Sequence, residues 1–469
     1  MTDAKAGLPR RLAAQGAVSP AYLLITVSTG ALLAPLNSTM LAVALPVIRG
    51  DLAISHGAAG WLVSSYLIAM AVTQPAGGRL GDMLGRARVF RAGLVAFLVF
   101  SLAATAAPNF GLLLASRTLQ AVAGAILIPN AMGMLRGSVP GATFGKYSGW
   151  NSAIIGATAA AGPLIGGAVL ATTAWRYLFL LNVPVVAVAL LLATRLRDER
   201  DAPRLGGAAL DWLGITLFGA LLCLVTVTLS TAGAAGARQQ ALLAVGLVAT
   251  AAAFAFRQAH TAAPTAEWGL FRKPTFLGAS LHILLMNLAM YTTLLATPFF
   301  LTEVQHRGST VAGVLLGGLA AFQALTAPVA GRLGDAVGRR GPAIGSSLVA
   351  LTAALMLVFS IGPGLSPVFL GVALGMLGIG VGVGFVSASV AAIEAAPKAL
   401  AGSAAGTQSM MRYFGSIIGV GLLSGLLTTE SGDAPDIAVF RLLYILVAVL
   451  LGFSVAAAAL IRAPSRRPP

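Results

Sequence analysis

The chain has 469 residues, 58% of them hydrophobic and only 9% charged, which excludes an ordinary soluble domain because such domains are nearer half apolar. Its formal net charge of +16 would suggest a nucleic-acid partner, but the basic residues fall in short loops and form no basic stripe with interleaved aromatic residues. The single cysteine, Cys223, lies in an apolar run and excludes both a disulfide framework and a thiolate metal site.

Apolar runs of about 20 residues, the length that crosses a bilayer core, follow one another along the chain. We place fourteen such spans, at about 21–46, 58–78, 90–107, 110–136, 147–171, 178–194, 211–230, 239–257, 275–300, 309–330, 342–362, 366–393, 402–427 and 438–461. The loops between them are short, apart from stretches near 195–210 and 258–274. Residues 1–20 are polar and lack a small-residue cleavage site, so we expect a retained tail rather than a signal peptide.

The charges in the loops predict the orientation of these spans. If both ends of the chain lie inside, the cytoplasmic loops carry most of the arginines and lysines, as the positive-inside rule requires. The outer loops then keep only a few cations: Arg49, Arg176, Arg238 and Arg307, with Arg441 at the start of the last span. Missing one span would abolish this asymmetry. We therefore predict an all-α protein with fourteen transmembrane helices in the cell membrane and cytoplasmic tails at 1–20 and 462–469.

One short charged loop occurs twice, each time between two spans. Residues 78–86 read GRLGDMLGR and residues 331–339 read GRLGDAVGR. Internal repeats of this kind are typical of transporters built from two related halves. We therefore predict a transporter with a conformational gate at the two loops. The residues assigned to this gate are Gly78, Asp82, Gly85, Arg86, Asp335 and Arg339.

The physical basis for the gate is the pairing of a carboxylate with nearby arginines. Asp82 and Asp335 stand at helix ends, where each can also face the N-terminus of a neighbouring helix, an arrangement that the helix dipole favours. Such pairs would hold one conformation and break in the other. The alternative is simple anchoring by positive charge, which needs the arginines but not the aspartates.

Further motifs lie around and after the first copy of the loop. They are Trp61, Tyr66, Pro75 and Gly78 in the second span, Arg117 with Gln120 and Gly124 in the fourth, GPLIGG at 162–167, WRYLFLLNVP at 175–184 and DWLG at 211–214. Together with the doubled loop, this set resembles the major facilitator superfamily, and specifically its fourteen-span drug:proton antiporter branch. The resemblance covers nearly the whole chain.

The resemblance implies a major facilitator fold with two six-helix bundles, at 21–194 and 275–461, and a linker at 195–274 that adds two transmembrane helices. Substrate would bind near the membrane midplane between the bundles, with access alternating as the bundles rock. The expected partners are a small amphipathic substrate, protons and membrane lipid. We expect a monomer that needs no cofactor.

Two arginines lie inside predicted spans, where a charge costs at least a few kcal/mol unless it is paired or solvated. Arg117 is therefore a candidate for the proton path, with capping by backbone carbonyls as the alternative, and Arg412 is a candidate for the substrate cavity. Gly162 and Pro163 interrupt the fifth span, because proline removes a helix hydrogen bond. We interpret this pair as a hinge in the transport cycle, with plain close packing as the alternative.

The first span carries a polar cluster at mid-membrane depth, which includes Asn37 and Thr39. In the resembled branch the position of Asn37 is commonly an aspartate, and an amide cannot take up a proton. The remaining candidates for proton coupling are Glu303, at the outer end of the ninth span, and His282 within it, since histidine titrates near neutrality. Their alternatives are a solvated helix-end carboxylate and a structural histidine.

Polar side chains in other spans are candidates for the rest of the substrate cavity, because a polar group in lipid must face a cavity or a partner helix. To Asn37, Thr39 and Arg412 we add Tyr66, Gln120, Asn151, Asn287, Tyr291 and Gln408. Since none of these residues is acidic, we expect a neutral or anionic amphipath rather than a strongly cationic substrate.

The leading prediction is a secondary transporter that exports hydrophobic or amphipathic compounds, such as drugs and antibiotics, by proton antiport. The alternative is an exporter or facilitator of one endogenous metabolite, uncoupled from protons because Asn37 replaces the usual acid. An enzyme is not expected, because the histidines are scattered and no catalytic or metal-binding constellation is present. No phosphate-binding loop points to a nucleotide, so we expect the energy to come from gradients.

Overall fold

The computed structural model describes residues 18–139, 141–196, 211–232, 236–261, 268–397, 400–427 and 436–462, and this part of the chain is all-helical. The first half contains α1 (Pro20–Ala31), α2 (Leu33–Asp51), α3 (His56–Leu84), α4 (Arg86–Thr105), α5 (Phe110–Ser138), α6 (Gly141–Thr172), α7 (Tyr177–Leu180) and α8 (Asn182–Ala193). Two helices follow, α9 (Trp212–Ser230) and α10 (Ala237–His260). The second half contains a 3-10 turn (Trp268–Arg272), α11 (Pro274–Phe299), a π turn (Phe300–Val304), α12 (Ser309–Val337), α13 (Arg340–Ser360), α14 (Pro367–Ala395), α15 (Ala401–Leu427) and α16 (Ile437–Ala459).

Most of these helices have the length and composition that a bilayer core requires. Within the described ranges, twelve segments are long and apolar enough to cross a membrane, with α1 and α2 counted together as Pro20–Asp51. The sequence prediction contains two more spans: 58–78, which lies within the 29-residue helix α3, and 178–194, which corresponds to the shorter apolar pair α7 and α8. The all-helical fold class is confirmed. The count of fourteen and the domain boundaries stay predictions.

Successive long helices run in opposite directions, so their ends lie at two faces of the bundle. At one face the Tyr22 hydroxyl donates to the carbonyl of Leu192 at 2.7 Å, and the backbone N–H of Arg462 donates to Thr275 at 3.2 Å. We call this the terminal face, because α1 begins there and α16 ends there. We call the opposite face, where α2 ends and α3 begins, the distal face.

The two halves touch through α2 with α11, α3 with α15 and α6 with α12, while α9 lies against both α3 and α15. Small residues allow backbones to approach closely near the distal face. A Cβ atom added to Gly313 of α12 would lie 2.6 Å from the carbonyl of Pro163 in α6, and one added to Gly167 would lie 3.1 Å from the Cα of Gly313. Gly60 of α3 likewise rests against the Ser424 side chain of α15. The halves are therefore in close contact at the distal face.

Nearer the terminal face, α6 and α15 carry positions without close neighbours in the described structure. Trp150 in the first third of α6 is 57% exposed. In the described part of the chain, no atom outside the local helix lies within 4 Å of the Cβ position of Gly156 in α6 or of Gly406 in α15. At these two glycines the halves lack the close contacts that Gly167 and Gly313 make at the distal face.

Candidate functional site

Arg117 is a fully buried charge on α5, at 0% exposure. Its Nη1 donates to Oδ1 of Asn37 on α2 and, at 2.6 Å, to Oε1 of Gln120. Its guanidinium lies 4.2 Å from the centre of the Tyr66 ring, which is a cation–π geometry. Among the described residues its partners are amide oxygens and aromatic rings, and none is a carboxylate. The structure thus brings Asn37 and Tyr66 to the Arg117–Gln120 pair, which the sequence analysis had named as one motif.

A second layer of hydrogen bonds holds this arginine in place. Gln120 Nε2 donates to the Ser101 hydroxyl of α4 at 2.7 Å, and Asn182 Nδ2 of α8 donates to the same oxygen at 3.3 Å. Side chains of α4, α5 and α8 therefore hold the Gln120 amide, whose oxygen accepts from Arg117. Two donors of the site, Nδ2 of Asn37 and Nε of Arg117, are buried without a hydrogen-bond partner in the described structure.

Three tyrosines from both halves lie beside this network, and we call Tyr66, Tyr291 and Tyr413 the tyrosine cluster. Tyr66 of α3 interacts electrostatically with the other two. Tyr291 of α11 is hydrogen-bonded to Ser38 of α2. The Tyr413 hydroxyl of α15 accepts a hydrogen bond from Gln74 Nε2 of α3 at 3.0 Å. Because two of these contacts cross between the halves, the tyrosine cluster lies at their interface.

Arg412 lies next to the tyrosine cluster, near the middle of the 27-residue helix α15. Its guanidinium lies 5.4 Å from the ring centre of Phe385 on α14 and 5.3 Å from that of Tyr413. The side chain is half-buried, and no hydrogen bond or ion pair joins its guanidinium to another residue that the structure describes. The predicted cavity residues Tyr66, Tyr291 and Arg412 are therefore close together at mid-depth in the bundle.

Three other predicted cavity residues form hydrogen bonds within their own halves, although Oε1 of Gln408 is buried without a partner in the described structure. Asn151 of α6 accepts from the Ser28 hydroxyl of α1 at 2.8 Å. Gln408 Nε2 of α15 donates to the Ser280 hydroxyl of α11 at 2.8 Å. Asn287 Nδ2 donates to a backbone carbonyl one turn earlier in α11, at 3.1 Å. Asn151 and Gln408 therefore join helices inside each half, whereas Asn287 bonds within its own helix. Among the described residues, none of the three amides bonds to the tyrosine cluster.

The predicted hinge, Gly162 and Pro163, lies where α6 crosses α2. Gly162 rests directly against the side chain of Thr39, so any larger residue would collide with it. The Thr39 hydroxyl itself donates to the Pro35 carbonyl at 3.0 Å. The carbonyl of Pro163 faces Gly313 of α12. The dipeptide therefore contacts α2 of the first half and α12 of the second half. Its role as a hinge stays a prediction.

Glu303 joins the two halves at the distal face. Its Oε1 lies 2.7 Å from Arg49 Nη2 near the end of α2, and its Oε2 lies 2.9 Å from His56 Nε2 at the start of α3. The π turn Phe300–Val304 carries Glu303, and such turns recur at functional sites. The side chain of Glu303 is only 9% exposed, so it is not a solvated helix-end carboxylate. We call Arg49, His56 and Glu303 the distal cluster.

Asp51, also at the distal face, is bound within the first half alone. Its Oδ2 accepts from Trp175 Nε1 at 2.8 Å and from Arg176 Nη1 at 3.0 Å. The bond from Trp175 and then the bond from Arg176 hold the pKa of the Asp51 carboxyl below its usual value. The start of the WRYLFLLNVP motif thus fastens the segment before α7 to the end of α2.

The second copy of the charged loop forms an ion-pair cluster at the terminal face. Arg339 Nη2 lies 2.6 Å from Asp335 Oδ1 on α12 and 3.1 Å from Glu394 Oε1 on α14. Gly338, just before the arginine, has a φ of 83°, which favours glycine. Burial alone would lower the pKa of Arg339, but the hydrogen bonds and charges of Glu394 and Asp335 raise it by a larger amount. The pKa of Arg339 therefore lies above its usual value. One guanidinium therefore ties three helices of the second half together.

The first copy has the same backbone turn, with a φ of 97° at Gly85. The Arg86 guanidinium lies against Gly133 of α5, where a Cβ atom would come within 2.5 Å of Nη1. Gly78 lies against Pro129 of the same helix. The side chain of Asp82 is outside the described residues, so its pairing with Arg86 stays a prediction.

His282 lies inside the second half, at 0% exposure on α11. Its Nδ1 is 3.2 Å from the Ser347 hydroxyl of α13 and 3.0 Å from the Ser454 hydroxyl of α16. These serines connect it to neither the tyrosine cluster nor the distal cluster. Its role as a proton carrier stays a prediction.

Arg49, His56 and Tyr413 belong to these sites, although the sequence analysis did not single them out. In the sequence Arg49 and His56 lie in the loop predicted between the first two spans, and their partner is more than 240 residues away. No local pattern could have paired them with Glu303. Tyr413 could have been found from the sequence, because it is an aromatic residue that directly follows the intramembrane Arg412.

Comparison with known proteins identifies the family to which this geometry belongs. The sequence model of the Major Facilitator Superfamily matches residues 27–420, and a second match covers 308–469. The chain belongs to the Major Facilitator Superfamily. It is 33% identical over 414 residues to an uncharacterized MFS-type transporter, YvkA, of Bacillus subtilis, and this alignment covers 86% of this chain and 90% of the relative. It is 30% identical over 426 residues to the tetracenomycin C resistance and export protein of Streptomyces glaucescens, which covers 88% and 77% respectively.

A solved structure shows the same fold. This major facilitator matches a bacterial homolog of the human lysosomal transporter Spinster, in an inward-facing and unoccupied conformation, with a TM-score of 0.67 and 17% identity over 94% of this chain and 96% of that one. At this identity the likeness shows the fold alone. The chain is thus a multi-pass membrane protein whose relatives are transporters rather than enzymes. Its assignment to the fourteen-span drug:proton antiporter branch stays a prediction.

Proposed function

We propose that this major facilitator exports hydrophobic or amphipathic small molecules, drugs and antibiotics among them, by alternating access and proton antiport. The observation that carries the proposal is the tyrosine cluster with Arg412, a largely aromatic site between two halves that touch at the distal face. Small-molecule sites are mostly apolar and aromatic, with a few polar groups that orient the ligand. The similarity to a tetracenomycin C resistance and export protein supports the export of such compounds.

The terminal face is proposed to lie in the cytoplasm, because the arginine-rich loops of the sequence lie at that side. Substrate then reaches the tyrosine cluster from the cytoplasm or the inner leaflet. Rocking of the halves opens the distal face and closes the terminal face, and the substrate leaves. The protein is proposed to do this as a monomer in the cell membrane.

Glu303 is the proposed proton carrier. The position of Asn37 carries an amide, which cannot exchange a proton, and Arg117 bonds to that amide. Glu303, by contrast, is a carboxylate that holds the halves together through Arg49 and His56. Protonation removes its negative charge and so weakens its ion pair with Arg49 and its contact with His56, which couples proton uptake to opening of the distal face.

The second candidate function is an exporter or facilitator of one endogenous metabolite without proton coupling. The neutral pairing of Arg117 with Asn37 favours it, because a buried site without a carboxylate has no group there to bind and release a proton. The two candidate functions assign different roles to Glu303. In an uncoupled transporter its charge stabilises the closed distal face, but substrate movement releases no protons.

The experiment that tests the proposal is proton flux in inverted vesicles that contain the full chain. A fluorescent pH reporter follows an imposed proton gradient while neutral, anionic and cationic amphipaths are added. We expect one or more compounds to dissipate the gradient, and we expect Glu303→Gln to abolish this flux. Asp51→Asn is the matched control, because Asp51 is a distal acid that bonds only within the first half.

Substrate movement is measured directly in the same vesicles. Movement without proton flux would replace antiport with the uncoupled alternative. The absence of both substrate movement and proton flux with every compound would contradict the export proposal itself. Retention of full proton flux in Glu303→Gln would leave antiport standing and remove Glu303 as the carrier.

A further inference from the structure

Arg412 differs from almost every other described arginine in its depth. Most described arginines lie in loops or within a few residues of a helix end, but Arg412 lies near the middle of the 27-residue helix α15. A guanidinium at this depth costs at least a few kcal/mol unless it is paired or solvated. The other arginine inside a helix, Arg117, has its hydrogen bonds to Asn37 and Gln120. Arg412 has two aromatic rings and no hydrogen-bonded partner among the described residues.

Among the side chains that the structure describes, no acid lies near enough to Arg412 to neutralise it. The acidic residues whose side chains the structure describes all lie at helix ends or just beyond them: Asp51, Asp211, Glu303, Asp335, Glu394 and Asp436. The interface at mid-depth therefore carries two positive charges, from Arg117 and Arg412, beside three neutral tyrosines. In a low-dielectric interior such an excess of positive charge favours the binding of an anion.

Of the two arginines, Arg412 is the one that a ligand can reach. Arg117 is at 0% exposure, and the ring of Tyr66 covers its guanidinium. Arg412 is half-buried and lies beside Tyr413, at the interface between the halves. The Tyr413 hydroxyl accepts from Gln74, so its own proton remains free to donate to a ligand.

We propose that Arg412 is an anion subsite that binds the carboxylate of an aromatic amphipathic substrate. The planar guanidinium presents a fork of N–H donors that matches a carboxylate in a bidentate pair. The aromatic part of the substrate lies against Tyr413, Tyr291 and Phe385. This inference rests on the proposed transport function and makes it more specific, because it names an aromatic carboxylate as the preferred substrate class.

The test is a comparison of two probes that differ only in charge, pyrenebutyrate and its neutral amide, pyrenebutyramide. Binding to the purified full chain in detergent is followed by fluorescence anisotropy. We expect the wild-type protein to bind the acid more tightly than the amide. Arg412→Gln should raise the Kd of the acid by about 10-fold or more, because charge-assisted hydrogen bonds are lost, and should change the Kd of the amide less than about 2-fold.

Two further variants make the result specific. Arg412→Lys keeps the charge but loses the fork, so it should recover part of the affinity for the acid and not all of it. Arg238→Gln removes an exposed arginine at the start of α10 and should leave both Kd values unchanged. Size-exclusion profiles and unfolding temperatures of all variants show whether each protein is folded.

Each outcome decides the proposal. Equal losses of affinity for the acid and the amide in a folded Arg412→Gln protein would show that Arg412 only supports the fold. Unchanged affinities for both probes would place Arg412 outside the site. Binding of the amide without any preference for the acid would overturn the anion subsite while the export proposal stands. Failure of the wild-type protein to bind either probe would overturn an aromatic-carboxylate site, whereas the export proposal is decided separately by the vesicle measurements.

Discussion

Glu303 Oε1 lies 2.7 Å from Arg49 Nη2, and this ion pair joins the turn after α11 to the end of α2. The other oxygen of the same carboxylate lies 2.9 Å from His56 Nε2. One side chain of the second half therefore binds two cationic or potentially cationic side chains of the first half. The distal face cannot open without breaking both contacts.

The first prediction concerns this distal cluster. Glu303→Gln should shift the protein toward a state with an open distal face, because a neutral amide pairs less strongly with Arg49. Ser424→Cys in a Cys223→Ser background reports the opening, since Ser424 is buried against Gly60 when the face is closed. We expect a membrane-impermeant maleimide to label this cysteine several-fold faster in the Glu303→Gln protein.

Asp51→Asn provides the control for this measurement, because the described contacts of the Asp51 carboxylate all lie within the first half. Its labelling rate should equal that of the parent protein. An unchanged rate in Glu303→Gln, with normal labelling after denaturation, would mean that the distal cluster does not determine the closed state.

The second prediction concerns the repeated loop. Asp82→Asn should abolish transport while the protein stays at normal abundance in the membrane, because a gate residue is needed for turnover and not for insertion. Asp335→Asn should lower transport less, since Arg339 keeps its contact with Glu394 at 3.1 Å. Substrate efflux in cells and quantitative immunoblots of membranes measure the two quantities. Full activity of both variants would leave only the anchoring role for these loops.

The third prediction concerns Asn37. Asn37→Asp places a carboxylate beside the buried guanidinium of Arg117, where only amide oxygens now accept from it. We expect transport to acquire a new pH dependence or to favour cationic substrates. Asn37→Ser, which changes the side chain without adding charge, should do neither. An unchanged pH profile in Asn37→Asp would place the polar cluster of the first span outside the coupling site.

The fourth prediction concerns stability at acidic pH. The pKa of Asp51 is held below its ordinary value of 3.8, chiefly by the hydrogen bond from Trp175. A group whose pKa is lower in the folded state stabilises the protein above its unfolded-state pKa, and this contribution is lost as the pH falls through the folded-state pKa. The unfolding temperature of Asp51→Asn should therefore lie below that of the wild type at pH 6. The difference should shrink as the pH falls below about 4. A difference that is constant over this range would mean that ionisation of Asp51 contributes nothing.

Helix positions could be predicted because local composition determines them. The predicted span 342–362 is the observed helix Arg340–Ser360, and 438–461 is Ile437–Ala459. Each is an uninterrupted apolar run of about the length that a bilayer requires. The sixth span is harder, because Leu181 interrupts the helical run between α7 and α8 and leaves a segment shorter than its neighbours. The tight turns at Gly85 and Gly338 were also local and thus predictable.

The candidate sites could be predicted only in part, because their contacts depend on how the halves dock. Arg117 and Arg412 stood out in the sequence since a charge in an apolar span is unusual. Asn37, which accepts from Arg117, and Phe385, which lies beside Arg412, come from other helices. The bonds from Arg49 and His56 to Glu303 likewise join distant segments. Nothing in the chain around Glu303 indicates that two basic groups of the first half will surround it.

The contact of Gly167 and Gly313 has a consequence for the speed of turnover. Here two backbones meet directly, and a Cβ atom on Gly313 would lie 2.6 Å from the carbonyl of Pro163. Interlocked side chains would have to change rotamers before α6 could move across α12, and that would add to the activation barrier. Because the Gly167–Gly313 contact itself has none, it adds little to the barrier, and the polar pairs at the distal face gain weight in setting the rate of the cycle. That rate is then adjustable through a few charges.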